Sequence, residues 1–186
     1  MGKIRITGGT HRSRKIIVED QPGLRPTGDR ARETLFNWLG NNLSGLQVLD
    51  LYAGSGILAF EAASRGAAHV TCIDNNRATI MQLRQNLQAL DFKSIDVIQQ
   101  TALNFANNCE NVYDLILVDP PFESDQLAAI NDIISPLCDA GGYLYREYSI
   151  DNKAPRLEEK IWGLKKHKKI GQVEIELWQK NDIYEQ

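Results

Sequence analysis

The chain has 186 residues, 42% of them hydrophobic and 24% charged, with a formal net charge of −3. That length suits one well-buried domain with a small extension, and the composition is that of an ordinary globular protein. No run approaches the roughly 18 consecutive apolar residues of a membrane span, and Met1-Gly2-Lys3-Ile4-Arg5 lacks the apolar core of a signal peptide, so a cytoplasmic protein without membrane contact is expected. Cys72, Cys109 and Cys138 are odd in number and far apart, which predicts buried free thiols rather than disulfides or a metal site.

The charge is polarised along the chain. Residues 1–32 hold eight Lys or Arg against Glu19, Asp20 and Asp29, a balance of +5 that leaves −8 for the rest. A basic arm on an acidic body suits an anionic partner that touches one region. Within that arm, Lys3 to Thr7 and Lys15 to Glu19 read as strands around a Gly8-Gly9 turn and a basic tip. His11 in the tip reads as a solvated loop residue or an RNA contact. Residues 1–22 form this extension and residues 23–186 the main domain. After Arg25-Pro26-Thr27-Gly28, the spacing of Ala31, Leu35, Trp38 and Leu39 predicts a helix with Asp29 as its cap.

From Leu46 onward strands and helices alternate. Strands are predicted at Val48-Leu49-Asp50, Ala68 to Ile73 ending at Asp74, Ile95 to Gln99, Tyr113 to Asp119, and from Gly141-Gly142 through Arg146. Helices are predicted at Ile57 to Ser64, Ala78 to Leu90 and Asp125 to Leu137, with a short helical turn after the third strand. Ile161 to Lys180 reads as two strands turning at Lys165 to Lys169, with His167 in the charged turn. The alternation argues for an α/β fold with a doubly wound, mostly parallel sheet closed by an antiparallel hairpin.

Two segments carry chemistry. Asp119-Pro120-Pro121-Phe122 follows the apolar run Leu115-Ile116-Leu117-Val118. An acid and two prolines there form a rigid, donor-poor turn whose carboxylate and carbonyls accept hydrogen bonds, and Phe122 offers a stacking face. The set suits a planar base with an exocyclic amine, although Asp and Pro also favour plain turns. Upstream, Asp50-Leu51-Tyr52-Ala53-Gly54-Ser55-Gly56 ends the first predicted strand, where open α/β sheets bind ligands. Gly54 and Gly56 permit a tight turn and close backbone approach. Asp74 can accept hydrogen bonds from ribose hydroxyls, and Tyr52 lines the loop or packs in the core.

Gly54-Ser55-Gly56-Ile57-Leu58-Ala59 also matches the dinucleotide fingerprint, so a nicotinamide enzyme must be weighed. Against it stand Asp50, suited to a cationic amino acid moiety rather than a pyrophosphate, and the lack of length for a second substrate domain. Asp119 to Phe122 would also have no part in hydride transfer. S-adenosylmethionine fits the two segments better.

These motifs, with Arg5-Ile6-Thr7-Gly8-Gly9, Gly23-Leu24-Arg25-Pro26-Thr27 and Arg30 to Leu39, resemble the class I S-adenosylmethionine-dependent methyltransferases. More closely the chain resembles the bacterial 16S ribosomal RNA guanine-N2 methyltransferases of the RsmD family, over nearly its whole length. The resemblance implies a Rossmann-like seven-stranded domain with a C-terminal antiparallel hairpin. It implies catalysis by Asp119, Pro120, Pro121 and Phe122, and a cofactor site of Asp50, Tyr52, Ala53, Gly54, Ser55, Gly56, Asp74, Asn75, Thr101 and Ala102. Gln100-Thr101-Ala102 stands where related enzymes often carry an acid near the adenine. RNA contacts are implied for Arg5, Arg12, Arg14, Lys15, Arg25, Thr27 and Arg30. The implied partner is 16S ribosomal RNA in a partly assembled small subunit, with no metal. Alternatives are an amino methyltransferase acting on DNA adenine or protein glutamine, and a non-catalytic RNA-binding assembly protein.

Overall fold

A computed structural model describes residues 2–18, 28–121, 126–152 and 154–182. The expected loop Pro22 to Thr27, the strand end Glu19 and the helix start Asp125 lie outside these residues. A seven-stranded sheet holds β3 (Gln47–Asp50), β4 (His69–Asp74), β5 (Ile95–Gln99), β6 (Tyr113–Val118), β7 (Cys138–Ser149), β8 (Trp162–Ile170) and β9 (Val173–Lys180). The spatial order is β5-β4-β3-β6-β7-β9-β8. The first five of these are parallel, and β9 is antiparallel to both β7 and β8. The order reverses beside β3, so a crevice opens beyond the carboxyl ends of β3, β4 and β6.

Two apolar layers sandwich the sheet. One is made by α1 (Asp29–Leu39), α2 (Ile57–Ser64) and α3 (Arg77–Leu90), together with the separate hairpin β1 (Gly2–Arg5) and β2 (Lys15–Val18). The other is made by α4 (Ala102–Asn108) and α5 (Gln126–Asn131) with Trp162 and Trp178. Every residue of α2 is buried, because the sheet covers one side and the hairpin residues Ile6 and Ile16 join the same core cluster on the other. An 8-residue helix without an amphipathic face is what such a middle layer requires.

The hairpin is joined to this layer by an internal ionic cluster. Glu61 of α2 accepts from the Thr7 backbone N–H at 2.7 Å and the Thr7 hydroxyl at 2.8 Å. Its carboxylate also pairs with Arg65 and with Arg32, whose Nε lies 3.2 Å away. Arg32 further donates to the Arg5 carbonyl at 3.2 Å. One of the eight cations of the basic arm is therefore internal. At the hairpin tip, Gly9 has φ +74° and a Cβ there would meet the Ser64 carbonyl oxygen at 1.7 Å. Gly9 thus serves docking on the end of α2 as well as turning the chain.

Several expectations change. Asp29 is not the cap of α1; Gly28 holds that position without a side-chain bond, and Asp29 sits in the first turn, 3.0 Å from Arg32. The helix expected to run to Leu137 stops at Asn131 and resumes as a 3-10 turn at Ser135–Leu137. Pro136 has no N–H for an i to i−4 bond, so the α-helix cannot continue through it. β7 is longer than the expected Gly141–Arg146 strand, because β6 and β9 pair along its two sides. Lys165 to Lys169 do not form a turn. They lie within edge strand β8, and the chain reverses at Gly171-Gln172 with Gly171 at φ +60°. Lysines suit such an edge, where they oppose strand addition. His11 is half-buried rather than free in solvent: its ring stacks on Phe92 at 3.9 Å, and its Nε2 lies 3.1 Å from the Leu90 carbonyl. Cys72 and Cys138 are buried free thiols, whereas Cys109 is only partly covered.

Candidate active site

The crevice is a cavity of about 1180 Å³ at the carboxyl ends of the parallel strands. Both chemistry-bearing segments open into it. From the first come Asp50, Tyr52, Ala53, Gly54 and Ser55; from the second come Asp119, Pro120 and Pro121. Asp74, Asn75, Thr101 and Ala102 also line it, and Arg30 enters from α1. Small-molecule pockets usually span roughly 300–1,000 Å³, so this space is ample for a nucleoside-sized cofactor.

Local geometry explains the arrangement. Gly54, at φ +48°, begins the turn into α2. Asp74 accepts from the Gly54 N–H at 3.0 Å through Oδ2 and from the Asn76 N–H at 2.8 Å through Oδ1. One carboxylate therefore fixes the loop after β3 and the loop after β4. Burial raises its pKa despite those two bonds. Asn76 in turn caps α3, accepting from Ala78 and Thr79. Thr101 caps α4 by accepting from the Asn104 N–H at 3.3 Å.

Asp50 is 1% exposed. Burial, opposed by a hydrogen bond from the Tyr52 backbone and reinforced by the charge of Asp74, pushes its pKa up to about 7. Burial likewise raises the pKa of Tyr52, whose hydroxyl is buried without a hydrogen-bond partner among the described residues. A buried acid with a raised pKa and an orphaned hydroxyl on one cavity wall leave room for a cationic, hydrogen-bonding ligand. The residues therefore fit the amino acid portion of S-adenosylmethionine.

Gly56 faces the other way. It does not line the cavity, and a Cβ on it would meet Leu83 at 2.3 Å and Phe60 at 2.9 Å. At φ +78° it is needed for the turn and for packing under α2, rather than for approach of a ligand. Arg5, Arg12, Arg14 and Lys15 are exposed on the hairpin and do not line the cavity. Phe122, Arg25 and Thr27 lie outside the described residues. The sequence reading did not single out Glu147 or Ile170 to Val173, which also wall the cavity. An acid on the same strand face as Tyr145, in the largely apolar stretch Tyr143 to Tyr148, was the available signal for Glu147; nothing local marks the β8–β9 turn.

With both segments on one cavity, comparison with known proteins decides the lineage. The family described as conserved hypothetical protein 95 matches residues 4–179. The chain belongs to this family. Within conserved hypothetical protein 95, the ribosomal RNA small subunit methyltransferase D of Escherichia coli K12 is 41% identical over 184 residues, covering 96% of this chain and 91% of that one. The enzyme of the same name from Haemophilus influenzae is 38% identical over 187 residues, covering 96% and 94%. A solved structure described as a putative methyltransferase, yhhF, from Escherichia coli superposes with a TM-score of 0.88 at 36% identity, covering 97% and 99%. The protein is thus a methyltransferase with the α/β architecture of that family, and the nicotinamide reading falls.

Proposed function

We propose that the protein transfers a methyl group from S-adenosylmethionine to the exocyclic N2 of a guanine in 16S ribosomal RNA, on a partly assembled small subunit. The observation that carries this reading is the meeting of Asp50 to Ser55, Asp74 and Asp119 to Pro121 on one cavity. When bound, S-adenosylmethionine supplies an electrophilic methyl group on a sulfonium with a good leaving group. Asp50 would hold its amino group and Asp74 its ribose hydroxyls, while the Thr101-Ala102 corner meets the adenine.

The guanine amine is a weak nucleophile because its lone pair is delocalised into the ring. The protein's task is therefore positioning and charge stabilisation rather than strong base catalysis. Asp119 accepts one N–H of the amine and the Pro120 carbonyl accepts the other. As the nitrogen turns tetrahedral and gains positive charge, both acceptors bind it more tightly, and its surplus proton then leaves to Asp119 or to water. Phe122 stacks on the base, which leaves any helix to enter the pocket. The reading calls for no metal ion.

The N-terminal extension, residues 1–22, serves substrate capture beside a catalytic domain of residues 23–186. Its exposed Arg5, Arg12, Arg14 and Lys15, with Arg30 on the cavity wall and with Arg25 and Thr27, meet the RNA backbone. The test is transfer of labelled methyl groups to small subunits that lack the modification, followed by nucleoside analysis. N2-methylguanine in the RNA supports the reading, and label on DNA, on protein or nowhere refutes it. Calorimetry should show binding of S-adenosylhomocysteine and none of NAD.

A further inference from the structure

We propose that Glu147 is a second carboxylate of the base pocket, accepting the N1–H of the target guanine beside the amine held by Asp119; this rests on the guanine-N2 reading above. β7 runs parallel to β6 with Val118 opposite Arg146. Asp119 follows Val118 and Glu147 follows Arg146, so the two residues come next on neighbouring chains about 4.8 Å apart, Asp119 just past the end of β6 and Glu147 still within β7. Both line the cavity.

Glu147 is 3% exposed. Tyr145, two residues earlier on the same face, donates its hydroxyl to Glu147 Oε2 at 2.8 Å and fixes the carboxylate in place. The adjacent Arg146 does not serve it, because successive strand residues point to opposite faces. The Arg146 guanidinium turns to Glu176, Asn131 and the Pro155 carbonyl on the other side of the sheet.

The Watson–Crick edge of guanine places the N1–H donor next to the N2 amine. Two carboxylates side by side match that row of donors. Asp119 alone would accept a hydrogen bond from any planar amine; Glu147 adds the identity of the base. A purine whose N1 lacks hydrogen would set lone pair against lone pair. Sites built to hydrogen-bond a group reject analogues that lack it far more strongly than apolar pockets reject a missing methylene.

The probe is 2-aminopurine, which keeps the exocyclic N2 amine but has an unprotonated N1. Small subunits carrying guanine or 2-aminopurine at the methylated position are compared by kcat/KM. Wild-type enzyme should prefer guanine by at least about 100-fold, the upper range for one well-made base contact. Glu147→Gln supplies an amide N–H that suits the N1 of 2-aminopurine, so the preference should shrink at least about tenfold. Its affinity for S-adenosylhomocysteine should stay within about threefold. Reactivity differences between the two bases are common to both enzymes and cancel in the ratio.

A folded variant that keeps the wild-type preference overturns the proposal. So does wild-type enzyme that accepts 2-aminopurine as readily as guanine, a result that needs no variant. Tyr145→Phe, which removes only the hydroxyl, should shrink the preference in the same direction and by less. Wild-type enzyme that makes no N2-methylguanine on the guanine subunits defeats the substrate reading itself, an outcome distinct from failure of Glu147.

Discussion

Glu61 and Asp50 are buried to the same degree, at 0% and 1% exposure, yet sit in opposite electrostatic settings. Glu61 lies between two guanidinium groups and Thr7, all supplied by the chain. Asp50 has a backbone N–H and the repulsive charge of Asp74, and burial leaves its pKa near 7. The first carboxylate has its cations built in and joins the hairpin to the body. The second is the acid that, in the proposed function, a cationic ligand would complete. Depth of burial therefore does not distinguish these two acids; the cations beside Glu61 do.

Removing the built-in acid should have the largest effect. Glu61→Ala leaves Arg65 buried without its carboxylate and Arg32 with only the exposed Asp29, which typically costs about 3–5 kcal/mol. Urea unfolding would measure it. Replacing all three charges with apolar residues of similar volume should recover most of the loss. If Glu61→Ala alone proves neutral, the cluster does not hold the hairpin.

Asp119→Ala should lower turnover about 100- to 1,000-fold while cofactor affinity stays within a few fold, because its contact strengthens in the transition state. Single-turnover kinetics with saturating cofactor is the measurement; near-wild-type turnover removes Asp119 from the mechanism. Asp74→Ala should weaken S-adenosylhomocysteine binding roughly 10- to 150-fold, the loss of about 1.5–3 kcal/mol for a charge-assisted hydrogen bond. Since Asp74 also fixes Gly54 and Asn76, Asp74→Asn should fall between alanine and wild type.

The pH dependence sharpens the contrast directly. Asp50 has a folded-state pKa near 7 against an ordinary value of 3.8, so the ligand-free folded chain binds more protons than the unfolded chain between those values. Its contribution to stability is present at low pH and is lost as pH rises from about 4 to 7. A cationic ligand prefers the carboxylate, so affinity should move the other way, weakening about tenfold per unit below pH 7. Asp50→Asn should flatten both trends. An Asp50→Asn protein whose binding retains the wild-type pH profile would place the cation elsewhere.

The smallest effect concerns the exposed cations of the hairpin. Neutralising Arg12, Arg14 and Lys15 together should spare cofactor binding and weaken RNA binding. The log–log salt slope should flatten by up to about 0.7 per lost phosphate contact on single strands. A folded triple variant with unchanged slope would shift attention to β8, whose lysines lead along the edge strand to the cavity wall at Ile170.

The chain's own pattern was sufficient for much of this. Alternating strands and helices, the acid-started glycine loop and the Asp-Pro-Pro turn are local signals, each encoded within a few neighbouring residues. They placed Ile57–Ser64 and Ile95–Gln99 as helix and strand with the observed bounds, and they put Asp50, Asp74 and Asp119 at strand ends. Local pattern failed where pairing decided the outcome. The lysine run is polar enough to pass for a turn, but β9 pairs along it and makes it a strand. β7 extends beyond its apolar stretch because it has partners on both sides.

What tertiary structure alone decided is which charged side chains turn inward and whom they meet. Arg32 belongs by sequence to a basic arm, but the folded chain gives it to Glu61, 29 positions away and in another helix. Arg146 and Glu147 are neighbours that would pass for a local pair, yet the strand's pleat sends one to Glu176 and the other to the cavity. Backbone preference is short-ranged and can be read from a window of residues. The cost of burying a charge is met by whatever group the whole fold brings within reach, and that partner can come from anywhere in the chain.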